Sequence, residues 1–177
     1  MKTIGRIIQK PEDNFFYCQL YDMDTEEAYE FPISFPLLHT LHRTSQIYSY
    51  TSKTLYLCGA ANRLAEDECD YSSSYLYSVS FIKEPVKVSV EVNSCYYHDS
   101  PALAFFKREV LIVVGGLDSK KCEYYSINNK KWKSLPELPE FRYGCSLFSD
   151  NNSSMVYLFG GYDKVNNIFL IINSLGK

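Results

Sequence analysis

The sequence predicts an all-β fold built from a repeated four-stranded unit. Three apolar runs end in one or two glycines: Thr54–Ala60 (TLYLCGA), Val110–Gly116 (VLIVVGG) and Met155–Gly161 (MVYLFGG). The chain is rich in Tyr and Phe, with 16 and 11 respectively, and flat rings favour strands because they pack well on a pleated surface. Helical periodicity is nearly absent, which leaves the strand as the main predicted element.

The glycines set the period of the repeat. Gly115 and Gly160 lie about 45 residues apart, whereas the interval from Gly59 to Gly115 is about 56 residues. The longer interval contains the polar stretch AANRLAEDECDYSSS, where the later copies have only GLDSKK and GYDKVN. One loop insertion therefore accounts for the irregular spacing.

The remaining strands follow in a constant order after each glycine. A short loop leads to an aromatic strand, predicted at Phe15–Asp24, Ser74–Phe81, Cys122–Asn128 and Asn167–Asn173. A turn then leads to another strand, predicted at Glu26–Phe31, Val86–Val92 and Lys130–Leu135. A Pro-bearing loop, clearest at Pro136–Arg142 and with a counterpart at Phe35–Arg43, precedes the strand that returns to the next glycine.

Four short strands in each unit of about 45 residues, with frequent turn signals, are typical of a β-propeller blade. We expect one propeller domain over residues 1–177 with about three and a half blades. The predicted blades cover about 1–35 (partial), 44–95, 100–141 and 142–177 (partial). An open propeller exposes two apolar blade faces. Three alternatives follow. The chain is part of a longer propeller, or it closes a propeller only with a partner, or it forms a small irregular ring such as a four-bladed one.

The unit from Pro101 to Arg142 resembles a kelch repeat. It has the double glycine, the Tyr of the third strand and the Trp of the fourth strand at the spacings of that family. The copy around TLYLCGA departs from the pattern, because Ala60 replaces the second glycine and its fourth strand has no Trp. The resemblance covers nearly the whole chain. It implies structural roles for Trp132 and for the glycines Gly59, Gly115, Gly116, Gly160 and Gly161.

Composition narrows the function classes. The net charge of -3 gives no basic face of the kind that nucleic acids require, so we expect no nucleic-acid partner. No segment approaches the ~18 apolar residues of a membrane span, and the N-terminus has no apolar region of a signal peptide. The six cysteines form no C-x-x-C pair and lie mostly in strand-like runs, which is typical of the reducing cytoplasm.

Catalytic patterns are not found. The sequence has no G-x-S-x-G, Walker A or G-x-G-x-x-G motif. His39, His42 and His98 are interpreted as loop residues near the propeller face, since a metal site needs more ligands in geometric agreement. Cys95 beside two tyrosines is interpreted as strand packing. We therefore expect a protein that is not an enzyme and uses no cofactor or metal.

Protein binding is the predicted function. Kelch-like propellers hold partners on the face where the loops after the second strand and before the first strand emerge. Arg142 can serve there as a contact or as a brace between blades. The predicted partner-binding residues are Arg63, Asp67, Glu68, Asp70, Tyr71, Asp118, Lys120, Lys121, Arg142, Tyr143, Tyr162 and Asp163. The resemblance leaves two alternatives open: the substrate-recognition part of a ubiquitin-ligase adaptor, and a propeller enzyme of the galactose-oxidase kind.

Overall fold

A computed structural model of the chain describes residues 3–10, 15–35, 41, 43–59, 74–82, 86–150, 152, 155–162 and 170–173. Every regular element in these ranges is a strand, so the predicted all-β fold is confirmed there. The strands are β1 (Thr3–Gln9), β2 (Phe16–Asp22), β3 (Glu27–Ile33), β4 (Thr44–Ser49), β5 (Thr54–Gly59), β6 (Leu76–Ser80), β7 (Lys87–Val90), β8 (Ala102–Phe106), β9 (Val110–Val114), β10 (Cys122–Ser126), β11 (Lys131–Leu135), β12 (Tyr143–Asp150), β13 (Met155–Tyr162) and β14 (Leu170–Asn173). These ranges contain no helix that could cross a membrane.

The strands form four antiparallel sheets that follow one another in chain order. The first sheet is β1–β2–β3, the second β4–β5–β6–β7, the third β8–β9–β10–β11 and the fourth β12–β13–β14. Within each sheet, strands that are consecutive in sequence pair with each other in antiparallel fashion. The four sheets fall inside the four intervals predicted as blades.

Apolar layers fill the spaces between successive sheets. The layer between the first and second sheets includes Ile7, Phe16, Cys18, Leu55, Leu57, Tyr77 and Val79. The layer between the second and third sheets includes Tyr56, Cys58, Leu76, Leu103, Leu111, Val113 and Tyr125. The layer between the third and fourth sheets includes Ala102, Phe106, Ile112, Val114, Val156 and Leu158. The innermost contacts run from β1 to β4, from β4 to β8 and from β8 to β12.

The central strands β5 and β9 are buried on both faces. In β5, Leu55 and Leu57 point to the first sheet, while Tyr56 and Cys58 point to the third sheet. Because side chains alternate along a strand, a strand sandwiched between two sheets must be apolar at every position. This explains why TLYLC and VLIVV are continuous apolar runs.

The three repeated glycines differ in their surroundings, and β13 continues past Gly160 to Tyr162. Gly115 has φ +65°, and a Cβ there would lie 2.5 Å from the carbonyl oxygen of Arg142. Gly59 has φ +111°, and its Cβ would lie 2.5 Å from the carbonyl oxygen of Arg43. Gly160 also has φ +65°, but nothing lies within 4 Å of its Cβ position. A close backbone neighbour thus explains why positions 59 and 115 require glycine. At position 160 the only reason for glycine is the left-handed backbone conformation.

Two polar links join the outer strands of the second and third sheets. Trp132 on β11 packs on Tyr125, with 5.2 Å between ring centroids, and donates a 2.7 Å hydrogen bond to the carbonyl of Val92. Glu91 accepts hydrogen bonds from Tyr125 at 2.9 Å and Ser78 at 2.7 Å, and pairs with Lys130 at 3.2 Å. Burial alone would raise the pKa of Glu91, but these hydrogen bonds and the Lys130 charge outweigh it and lower the pKa.

Candidate partner-binding face

Three segments of the third and fourth sheets meet at one end of the strands. They are the loop 115–121 after β9, the segment 139–143 that enters β12, and the end of β13 at 160–162. The backbone N–H of Gly116 donates to the carbonyl of Arg142 at 2.7 Å, which joins the first two segments. The Arg142 guanidinium contacts the Gly160 carbonyl at 3.4 Å, which joins the third. We call this continuous surface the loop face.

Two lysines on the loop face are held against aromatic rings. The Lys120 ammonium donates to the carbonyl of Pro139 at 2.8 Å and lies 5.0 Å from the ring centroid of Phe141, which is exposed. The Lys121 ammonium pairs with Glu137 and lies 4.9 Å from the ring centroid of Tyr96. The hydrogen bond to Glu137 raises the pKa of Lys121, so this side chain stays charged. Both cations are thus fixed in position by nearby groups.

Two tyrosines form the other half of the loop face. Tyr143 and Tyr162 face each other at the paired ends of β12 and β13, with 5.7 Å between stacked ring centroids. Their exposed fractions are 37% and 71%, so most of the Tyr162 ring is open to a partner. Asp118 is exposed in the turn after Gly116. The structure therefore brings together five predicted residues: Asp118, Lys120, Lys121, Tyr143 and Tyr162.

Arg142 is a brace and not an open contact. Its side chain is 1% exposed, and it reaches both the Gly160 carbonyl and, at 3.3 Å, the carboxylate of Glu140. A residue sealed inside the scaffold cannot meet a partner without rearrangement, so burial favours the bracing alternative. Arg43 also makes a bracing contact, since its guanidinium binds the buried carboxylate of Asp99 at 3.0 Å, but its side chain is 43% exposed and remains open to solvent.

The other six predicted partner-binding residues lie outside the described residues. They are Arg63, Asp67, Glu68, Asp70 and Tyr71 of the insertion, and Asp163 after β13. The same holds for His39 and His42. Their proposed place on the loop face stays a prediction.

A buried polar network between the second and third sheets was missed by sequence reasoning. The side chains of His98 and Glu123 are 0% exposed, and the two are joined by a 2.8 Å contact between Nε2 and Oε1. Nδ1 of His98 lies 2.7 Å from the carbonyl oxygen of Gly115, and the N–H of Cys95 donates to the other Glu123 oxygen at 3.0 Å. His98 lies between strands, as interpreted, but its side chain is buried in the contact between the second and third sheets, which the sequence did not predict.

The partners of His98 fix the proton count of this network. A carbonyl only accepts, so Nδ1 must carry a proton, and the contact between Nε2 and Glu123 then needs a second, shared proton. The pair is neutral overall in either location of that proton, which makes complete burial tolerable. Its effect is to hold the segment 95–99 against the third sheet.

One sequence signal could have located the network. Glu123 and Tyr125 are two residues apart on β10, so they share a face, and that face carries the apolar contact with the second sheet. A carboxylate at such a position needs a buried partner. Cys95 was wrongly interpreted as strand packing, since it lies at a bend and is exposed.

The described residues bring no cluster of metal ligands together. Within them, no group of three His, Cys, Asp or Glu side chains could hold a metal ion. The His98–Glu123 pair is sealed from solvent, so its chemistry is structural. No protein-family model matches the chain, and comparison with curated proteins gives no match either.

Proposed function

We propose that the chain is a kelch-like β-propeller, or part of one, that acts as a non-enzymatic scaffold and binds a protein partner through the loop face. The observation that carries the proposal is that exposed aromatic rings and lysines held by neighbouring groups lie on one surface there. Aromatic and cationic side chains that are already held in place lose little conformational freedom on binding, which favours them as interface anchors. The repeated sheet, its stacking order and the Trp132 contact support the kelch-like propeller.

The rigid backbone beneath the loop face supports the same proposal. The Gly116–Arg142 hydrogen bond and the buried Arg142 side chain anchor loops that are short and exposed. Recognition residues are often carried by such loops on a rigid scaffold. The insertion 60–74 would extend the same face.

A photo-crosslinking experiment in cells tests this proposal. A photoreactive phenylalanine at Tyr162 should yield a discrete adduct with a partner, and the double substitution of Lys120→Ala and Tyr143→Ala should abolish that adduct. The matched control places the probe at Tyr50, which is 57% exposed at the opposite end of the second sheet. Equal adducts from both positions, or an adduct that survives the double substitution, would contradict the proposal.

The two alternatives predict different findings in the same preparation. An adaptor would place ubiquitin-ligase subunits among the crosslinked proteins. An enzyme of the galactose-oxidase kind would bind copper in stoichiometric amount, which metal analysis of the pure protein measures directly.

We also propose that the chain acts in the reducing cytoplasm. Cys18, Cys58 and Cys122 are buried free thiols, and burial raises the pKa of Cys18 to about 12. They therefore serve as small apolar groups in the core. Fractionation of cells that express the tagged chain would place it directly; recovery in the secreted fraction would contradict this.

A further inference from the structure

The outward face of the fourth sheet carries a row of exposed aromatic rings. Phe148 and Tyr157 are cross-strand partners with 6.3 Å between centroids, and Tyr157 and Phe159 are separated by the same distance. Phe148 is 58% exposed and Phe159 is 39% exposed. An apolar row of this kind on a regular strand pair is suited to stacking against another sheet.

The equivalent positions in the other repeats show what this face of the strand contacts elsewhere in the chain. Tyr157 and Phe159 lie three residues and one residue before Gly160, as Tyr56 and Cys58 do before Gly59 and Ile112 and Val114 do before Gly115. In both of those strands, the two positions pack against the sheet that follows. The exposed face of the fourth sheet is therefore equivalent to the faces by which the second and third sheets pack against the sheets that follow them.

The outward face of the first sheet is the matching surface. It holds an open hollow of about 360 Å³, whose lining residues on this face are Ile4, Arg6, Gln19, Tyr21, Ala28 and Glu30. Arg6 donates to Gln19 at 2.8 Å, and Gln19 donates to Glu30 at 2.8 Å, so its polar side chains are held in a fixed row across three strands. Ile4 and Tyr21, which are 44% and 42% exposed, provide apolar area beside that row.

We propose that a second copy of this chain covers these faces, with the fourth sheet of each copy stacked on the first sheet of the other. Within the chain, each sheet packs one face against the sheet that follows it and the other face against the sheet before it. The proposed contact repeats this arrangement between two copies. The inner-edge contacts place β1 in line with β4, β8 and β12, so the strand order of the first sheet matches that of the other three.

Two such contacts close a two-fold ring. A head-to-tail interface forms a ring when its rotation closes, and propellers contain typically four to eight blades. Two copies of four sheets give eight. This contact lies on the stacking faces and is separate from the loop face, so either proposal can fail without the other.

Sedimentation equilibrium of the full chain tests the proposal, with a dimer expected at micromolar concentration. Phe148→Arg blocks the fourth-sheet face and Tyr21→Arg blocks the first-sheet face; each should weaken dimerisation at least tenfold. Phe159→Ser is a second block of the fourth-sheet face. Phe141→Arg is the matched control, since Phe141 is 51% exposed but lies on the loop face. Thermal melting checks that every variant is folded.

Mixing the blocked variants distinguishes the arrangement. Phe148→Arg and Tyr21→Arg together retain one intact pair of faces, so their equimolar mixture should form an open dimer at concentrations where neither variant dimerises alone. If the aromatic faces instead paired with each other, Tyr21→Arg would still dimerise and the mixture would gain nothing. A monomeric wild-type chain, open polymers, or dimers unaffected by Phe148→Arg and Phe159→Ser would each overturn the proposal.

Discussion

Alanine substitutions at Gly115 and Gly160 separate backbone strain from steric contact. Both glycines have φ +65°, but only the Cβ at position 115 meets a backbone atom, the Arg142 carbonyl oxygen at 2.5 Å. Gly160→Ala should therefore cost the left-handed backbone penalty alone, about 1–2 kcal/mol. Gly115→Ala carries the same penalty and displaces the carbonyl that accepts the Gly116 hydrogen bond, which adds about 1–3 kcal/mol for the lost buried bond.

Urea unfolding of the two variants measures the difference directly. We expect Gly115→Ala to lose about 1–3 kcal/mol more of the unfolding free energy than Gly160→Ala, with unchanged m-values. Equal losses would refute the reasoning, because they would show that the Arg142 carbonyl does not restrict position 115.

Three further predictions concern the contact between the second and third sheets. Trp132→Phe should lose about 1 kcal/mol through the missing bond to the Val92 carbonyl, and Trp132→Ala about 3 kcal/mol; a wild-type melting curve for the alanine variant would contradict this. Glu123→Gln should be nearly neutral, because its amide can donate to Nε2 of a neutral His98, whereas Glu123→Ala should cost at least about 2 kcal/mol in unfolding free energy. Equal costs would contradict this, because they would show that a hydrogen-bond donor to Nε2 at position 123 does not stabilise the fold. Because the pKa of Glu91 is lowered in the folded state, its stabilisation is present above pH 4.5 and is lost as pH falls through the folded value. Glu91→Gln should therefore flatten the acid limb of the stability profile, and an unchanged limb would count against the Glu91 contacts.

The strand order was predictable because its signals are local. The apolar run that ends at Gly115 is apolar at every position, which requires a strand covered on both faces, and the structure places β9 between two sheets. The same run at Gly59 identifies β5. The aromatic strands that follow lie within a few residues of the glycines, so their register needed no knowledge of distant contacts.

The buried polar contacts were not predictable in the same way. His98 and Glu123 are 25 residues apart and meet only after the second and third sheets stack. Arg142 could be assigned to neither alternative, since its burial depends on the Gly160 carbonyl of the neighbouring strand. Sequence patterns predict which face of a strand is buried. They do not predict which polar groups of neighbouring sheets contact each other there.

An experimentally determined structure of the chain tests the central claim, that successive sheets stack in chain order by one repeated rotation. The account predicts that the rotation carrying the second sheet onto the third also carries β8–β10 onto β12–β14. It should place Gly59, Gly115 and Gly160 in turn on one another. Sheets stacked in another order, or these three glycines at unrelated positions in their sheets, would contradict it.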